Sequence, residues 1–134
     1  MASQLKVDTL TGVTTAGSID VTGEGNSTTT NLQQGLAKCW ANVAGQSDPA
    51  SLRDSFNISS LTDVGGGNYG LNFSNNMSND DYGGGIGGQD TGTRDNVHLS
   101  FESQSTSDYR IQYYEGSSLT DCVRILTIIA GDLA

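Results

Sequence analysis

The sequence is poor in the residues on which most enzymes and nucleic-acid-binding chains depend. It has one histidine, His98, and two cysteines, Cys39 and Cys122. Lysine and arginine total 6 against 15 acidic side chains, a formal net charge of −9. Affinity for nucleic acid rests largely on cations that neutralise phosphates, and no basic stripe is present, so no nucleic-acid partner is expected. Anionic membrane surfaces are disfavoured for the same reason. No run approaches the roughly 18 apolar residues of a membrane-spanning helix, so membrane insertion is not expected either. The opening MASQLKVDTLTG carries one lysine and no apolar stretch, and does not read as a secretory signal. Proline is nearly absent, with 1 residue, and hydrophobic residues make up 34%, which limits the core to a modest size.

Motifs that carry chemistry are equally scarce. A zinc site needs ligands that a single histidine and two isolated cysteines do not supply. There is no GxSxG elbow for a nucleophilic serine. The glycine run around Gly83 lacks the Lys-Ser or Lys-Thr ending of a phosphate-binding loop. Asp80 and Asp81, with Asn76 or Asn79, are the nearest approach to a calcium site, but the spacing of a helix-flanked calcium loop is missing. The expectation is a chain with no catalytic residues, no metal and no cofactor. Cys39 and Cys122 each sit in an apolar run, AKCWANVA and DCVRILTII, where buried reduced thiols are the default. A disulfide joining the first and last core strands stays open as the alternative.

What the sequence does have is glycine (18 residues), serine, threonine and asparagine, arranged around short alternating apolar runs. That combination belongs to all-β chains with many tight turns. The chain reads as two parts. Residues 1–34 contain no aromatic residue and two short apolar patches, Leu5, Val7 and Leu10 in the first and Ile19 and Val21 in the second. Each alternates apolar and polar positions as a strand does, and each is followed by glycine, Gly12 and Gly23. Neither patch builds a core by itself, because a strand with one apolar edge needs a partner to cover it. The part is therefore expected to be an extended N-terminal arm that docks on something else, with Leu5, Val7, Leu10, Ile19 and Val21 as attachment residues.

Residues 35–134 read as a β domain. Strands are expected at Leu36–Val43, Ser55–Thr62, Tyr69–Phe73, Val97–Phe101, Tyr109–Tyr113 and Cys122–Ile129, with a short one at Tyr82–Ile86. Val64–Asn68 reads as the turn of a hairpin. The last run is the most apolar and suits a central strand. Thr30–Trp40 is the one stretch with helical spacing, through Leu32, Leu36 and Cys39. The architecture expected is an antiparallel β-sandwich, jelly-roll-like. Most aromatics fall at alternating strand positions and are expected in the core, with Phe56 and Ile58 marking one core face. Tyr113 and Tyr114 are adjacent, so they point to opposite faces and one lies outside. His98 is expected to face away from Val97 and Leu99. Tyr82, Asp90 and Tyr114, with the Gly-rich loop 83–92, are the candidate distal or interface contacts.

The string LKVDTLTGVTTAGSIDVTGEGNSTTTNLQQGLAKCWANV resembles the start of small tail-fibre-like or virion structural proteins of tailed bacteriophages, especially those of marine and cyanobacterial hosts, and DSFNISSLTDVGGGNYGLNFSNNM is similar to a theme repeated in them. The resemblance covers roughly residues 5–80. It implies a homotrimeric β assembly without enzymatic activity, assembled in the host cytoplasm and carried on the virion. Its partners would be other copies of itself, neighbouring tail or capsid proteins, and a host surface receptor. It implies a tail-fibre or appendage-like protein attached through its N-terminal arm. At 134 residues, with two shaft-like patches, the chain also fits the alternative of a capsid decoration (cement) protein that stabilises the head lattice.

Overall fold

Alternating side chains and frequent glycine turns produce an all-β protein built from antiparallel sheets. The computed structural model describes residues 4–12, 19–23, 28–90 and 96–133. The chain divides into two units, Met1–Gly35 and Leu36–Ala134.

In the first unit, β1 (Asp20–Thr22) and β2 (Thr29–Asn31) pair as a short hairpin with Val21 opposite Thr30. A single helical turn, α1 (Leu32–Gly35), follows, and the Leu32 amide donates to the Ile19 carbonyl at 2.8 Å. Residues 4–12 carry no strand or helix. The second apolar patch therefore pairs with the segment that follows it in its own chain. A two-stranded ribbon has only one neighbour per strand and buries little, and Val21 stays 52% exposed.

The second unit holds β3 (Ala37–Ala44), β4 (Ser51–Phe56), β5 (Ile58–Gly65), β6 (Asn68–Phe73), β7 (Gly83–Gln89), β8 (Val97–Gln104), β9 (Asp108–Glu115), β10 (Ser118–Leu119) and β11 (Arg124–Ala130). One sheet has the order β4-β3-β11-β7. The other runs β5-β6-β9-β8, with β10 beside the end of β9. The helical spacing at Thr30–Trp40 gives way to strand after one turn. Period two wins there because Cys39, Ala41 and Val43 all enter the core.

The two sheets share one core. Cys39, Ala41, Val43, Ile125 and Ile129 come from the first, and Tyr69, Leu71, Phe73, Tyr109, Ile111 and Tyr113 from the second. Two turns, one within a sheet and one between sheets, show how glycine and asparagine shape the chain. Gly67 (φ 73°) closes β5–β6, and a side chain there would collide with the Tyr113 and Thr120 carbonyls. Asn57 (φ 58°) turns the chain from β4 in one sheet to β5 in the other. Asparagine tolerates this left-handed conformation better than most residues. Its amide is held by Asn75, whose backbone N–H donates to Asn57 Oδ1 at 2.8 Å.

The strand order departs from a jelly roll. Consecutive strands β3–β4, β5–β6 and β8–β9 pair as hairpins within one sheet, whereas a jelly roll sends consecutive strands to opposite sheets. Short turns join each of these pairs, and a short turn leaves two strands side by side in the same ladder.

Candidate interaction surfaces

Core packing in this domain depends on tyrosine. Tyr69, Tyr82, Tyr109 and Tyr113 are buried, and each hydroxyl finds a partner. The Tyr82 hydroxyl donates to the Asp108 carbonyl (3.0 Å) and reaches that of Ser105 (3.1 Å), while its ring meets Phe73 edge-on at 5.7 Å. Burial pushes this phenol up to about 12. Tyr82 is thus part of the core and not a distal contact. It lies just before β7 and packs its ring on Phe73.

Asp90 is also engaged inward. It accepts a 2.8 Å hydrogen bond from the Tyr113 hydroxyl. The Gly-rich segment expected as a contact loop is the strand β7 as far as Gln89. Its far end, residues 91–92, lies outside the described residues.

Tyr114 is on the outer face of the second sheet, opposite to Tyr113 as the alternation requires. His98 sits directly across from it, and the two rings stack at 4.6 Å with 6° between planes. The Tyr114 hydroxyl donates to Gln112 Oε1 at 2.6 Å. The surrounding face is polar: Ser60 accepts from Asn72, and Arg110 lies 4.0 Å from Glu102.

The outer face of the first sheet is different. Direct cross-strand partners lie on the same face of a sheet. Phe56, Trp40, Ile128 and Gly85 form one such row across the four strands. The next row is Asp54, Asn42, Leu126 and Gly87. Phe56 is 51% exposed, Ile128 54%, Leu126 48% and Trp40 37%. The same face carries two buried polar atoms without a hydrogen-bond partner, Asn42 Oδ1 and Arg124 Nε. Phe56 and Trp40 are thus outside the core in which the alternation placed them. Asn57 accounts for Phe56: the corner puts Phe56 at the end of one sheet while Ile58 packs into the core from the other. The signal for this face lies in the last strand. RILTIIA is apolar at consecutive positions, so a strand whose inner face takes Ile125 and Ile129 must present Leu126 and Ile128 outward.

In the first unit, Leu5 is 80% exposed, and Val7 and Leu10 are 56% each. Ile19 is partly covered.

Among the described residues, no group of three or more His, Cys, Asp or Glu side chains is placed to hold a metal ion. Asn79 Oδ1 accepts the Asp81 backbone N–H at 2.9 Å, a local turn contact. Cys39 and Cys122 are both free and buried. No helix among the described residues is long and apolar enough to cross a membrane.

Comparison of the chain with protein-family models, curated proteins and solved structures finds no match.

Proposed function

We propose that this chain is a non-enzymatic structural protein of a tailed-phage particle, a homotrimeric tail-fibre or appendage-like component held to its neighbours through the N-terminal unit. The observation that carries the reading is the distribution of exposed apolar side chains. Leu5, Val7 and Leu10 stand open in the first unit, while the domain exposes Phe56, Trp40, Leu126 and Ile128 on one sheet face. A domain with a small tyrosine-lined core and a large exposed apolar stripe is suited to assembly, because contiguous exposed apolar surface marks an interaction site. The β-sandwich supplies the rigid body, and the N-terminal segment supplies the attachment. The resemblance of residues 5–80 to small virion proteins supports the same assignment.

Two measurements test it. Light scattering on the purified chain should give three chain masses at micromolar concentration, and a clean monomer would count against the trimer. Removing residues 2–30 should abolish incorporation into particles while the circular-dichroism spectrum of the β domain persists. Particle binding by the truncated chain would sink the attachment role. Copy number then separates the appendage from the capsid-decoration alternative: a few to a few tens of copies fit a tail, hundreds fit a head lattice.

A further inference from the structure

The outer face of the β4-β3-β11-β7 sheet is asymmetric in shape. Its β4 and β3 side carries bulk, Phe56 and Trp40. Its β7 side carries none: Gly83, Gly85 and Gly87 face outward opposite Ala130, Ile128 and Leu126. A side chain at Gly83 or Gly87 would meet nothing within 4 Å. The face is therefore a ridge beside an open trough. Among the described residues β7 has no strand partner on its second side, so the trough is also an edge.

Charge follows the same division. Asp54 sits on the β4 side, next to Phe56 on the same face, and Arg124 sits on β11 opposite Gln89 of β7. Asp54 Oδ1 accepts the Ser55 backbone N–H at 2.8 Å. Arg124 Nε is buried and unpartnered, as is Asn42 Oδ1. An unmet buried polar atom costs free energy until a partner arrives.

We infer that this face binds a second copy of the chain, the Phe56–Trp40 ridge of one copy seating over the Gly85–Gly87 trough of the next. The inference rests on the self-associating reading above and names the surface that performs it. Setting β4 of one copy over β7 of the next places Phe56 against Gly85 and Asp54 against Gly87. Arg124 then lies one strand over and two residues along from Asp54 of the neighbour, within reach of a long guanidinium side chain. Ridge and trough belong to one face of one chain, so a second copy supplies both halves of the fit. The pairing is head-to-tail, and such pairings close into rings when the rotation allows. The four large side chains offer a patch of a few hundred Å². A stable interface takes roughly 800 Å² per partner, so Asp54, Asn42 and Arg124 are required as its rim.

The test is light scattering and sedimentation of the full-length chain and three variants, each checked for an unchanged circular-dichroism spectrum. Gly87→Phe fills the trough from a position where the monomer has open space, and should weaken association by on the order of 100-fold or more. Asp54→Arg should weaken it by about tenfold, and the double variant Asp54→Arg/Arg124→Asp should restore most of that loss. An oligomer indifferent to all three variants overturns this inference while leaving self-association through another surface intact. A wild-type chain that stays monomeric overturns both.

Discussion

The Tyr109 hydroxyl lies 2.7 Å from Oγ1 of Thr127, a buried hydrogen bond that ties β9 in one sheet to β11 in the other. Cys39 Sγ, from β3, stands 3.6 Å from the same hydroxyl. The centre of the core is therefore a polar contact wrapped in apolar side chains. Removing one partner leaves the other unsatisfied, so Tyr109→Phe should lower unfolding free energy by about 1–2 kcal/mol in urea titrations. Thr127→Val should cost a similar amount. The double variant should cost less than the two single losses together, because each already breaks the same bond.

Glycine 84 and glycine 87 share a strand and differ in what surrounds them. A Cβ at Gly84 would come within 2.5 Å of Ile129 Cδ1 and 2.7 Å of the Ile128 carbonyl. At Gly87 it would meet nothing within 4 Å. Gly84→Ala should destabilise by about 1–3 kcal/mol through overpacking. Gly87→Ala should change stability by no more than about 0.5 kcal/mol. Chemical denaturation of the two variants side by side reads the difference, and equal effects would contradict the inward assignment of Gly84.

Burial pushes the thiols of Cys39 and Cys122 up to about 11. The thiolate is the reactive form, so both cysteines should be inert in the native state at neutral pH. Labelling with a thiol reagent should be slower than in denaturant by more than about 100-fold, limited by opening of the core. Fast labelling of either residue in the folded protein would contradict its placement.

The same burial predicts alkaline sensitivity. Tyr82 is raised to about 12, and Tyr69 and Tyr109 are raised further, by desolvation in each case. The unfolded chain releases these protons near the ordinary values of 9.0 for cysteine and 10.0 for tyrosine, while the folded chain keeps them. Folding stability from these groups is complete below about pH 9, and declines as pH rises toward and past 11. Thermal melts should be flat for these groups from pH 7 to about 8.5 and drop progressively above pH 9. A melting temperature that rises with pH in that range would contradict the buried tyrosine core.

Much of the fold was legible because period two is a local signal. Tyr69, Leu71 and Phe73 alternate and all enter the core, as do Tyr109, Ile111 and Tyr113. The hairpin turn before Asn68 was readable from its glycines, and the split between Tyr113 and Tyr114 from their adjacency. The candidate surfaces were less legible. Tyr82 lies among glycines and acidic residues, which reads as surface; it is buried because the chain brings Phe73 and the β8–β9 turn around it. Asp90 reads as an exposed acid in a loop, but Tyr113 reaches it from the core.

Sequence alone determined that the chain is all-β, with antiparallel pairing implied by its short turns, and that Leu5, Val7 and Leu10 have no local means of burial. Those conclusions need only alternation, composition and turn chemistry, which act over a few residues. The tertiary structure decided which face of each strand meets the other sheet. Phe56 and Ile58 share one parity in the sequence, yet the left-handed turn at Asn57 sends them to different sheets, one outward and one inward. The apolar outer face therefore depends on how four strands line up in register, and register between distant strands is a property of the folded sheet.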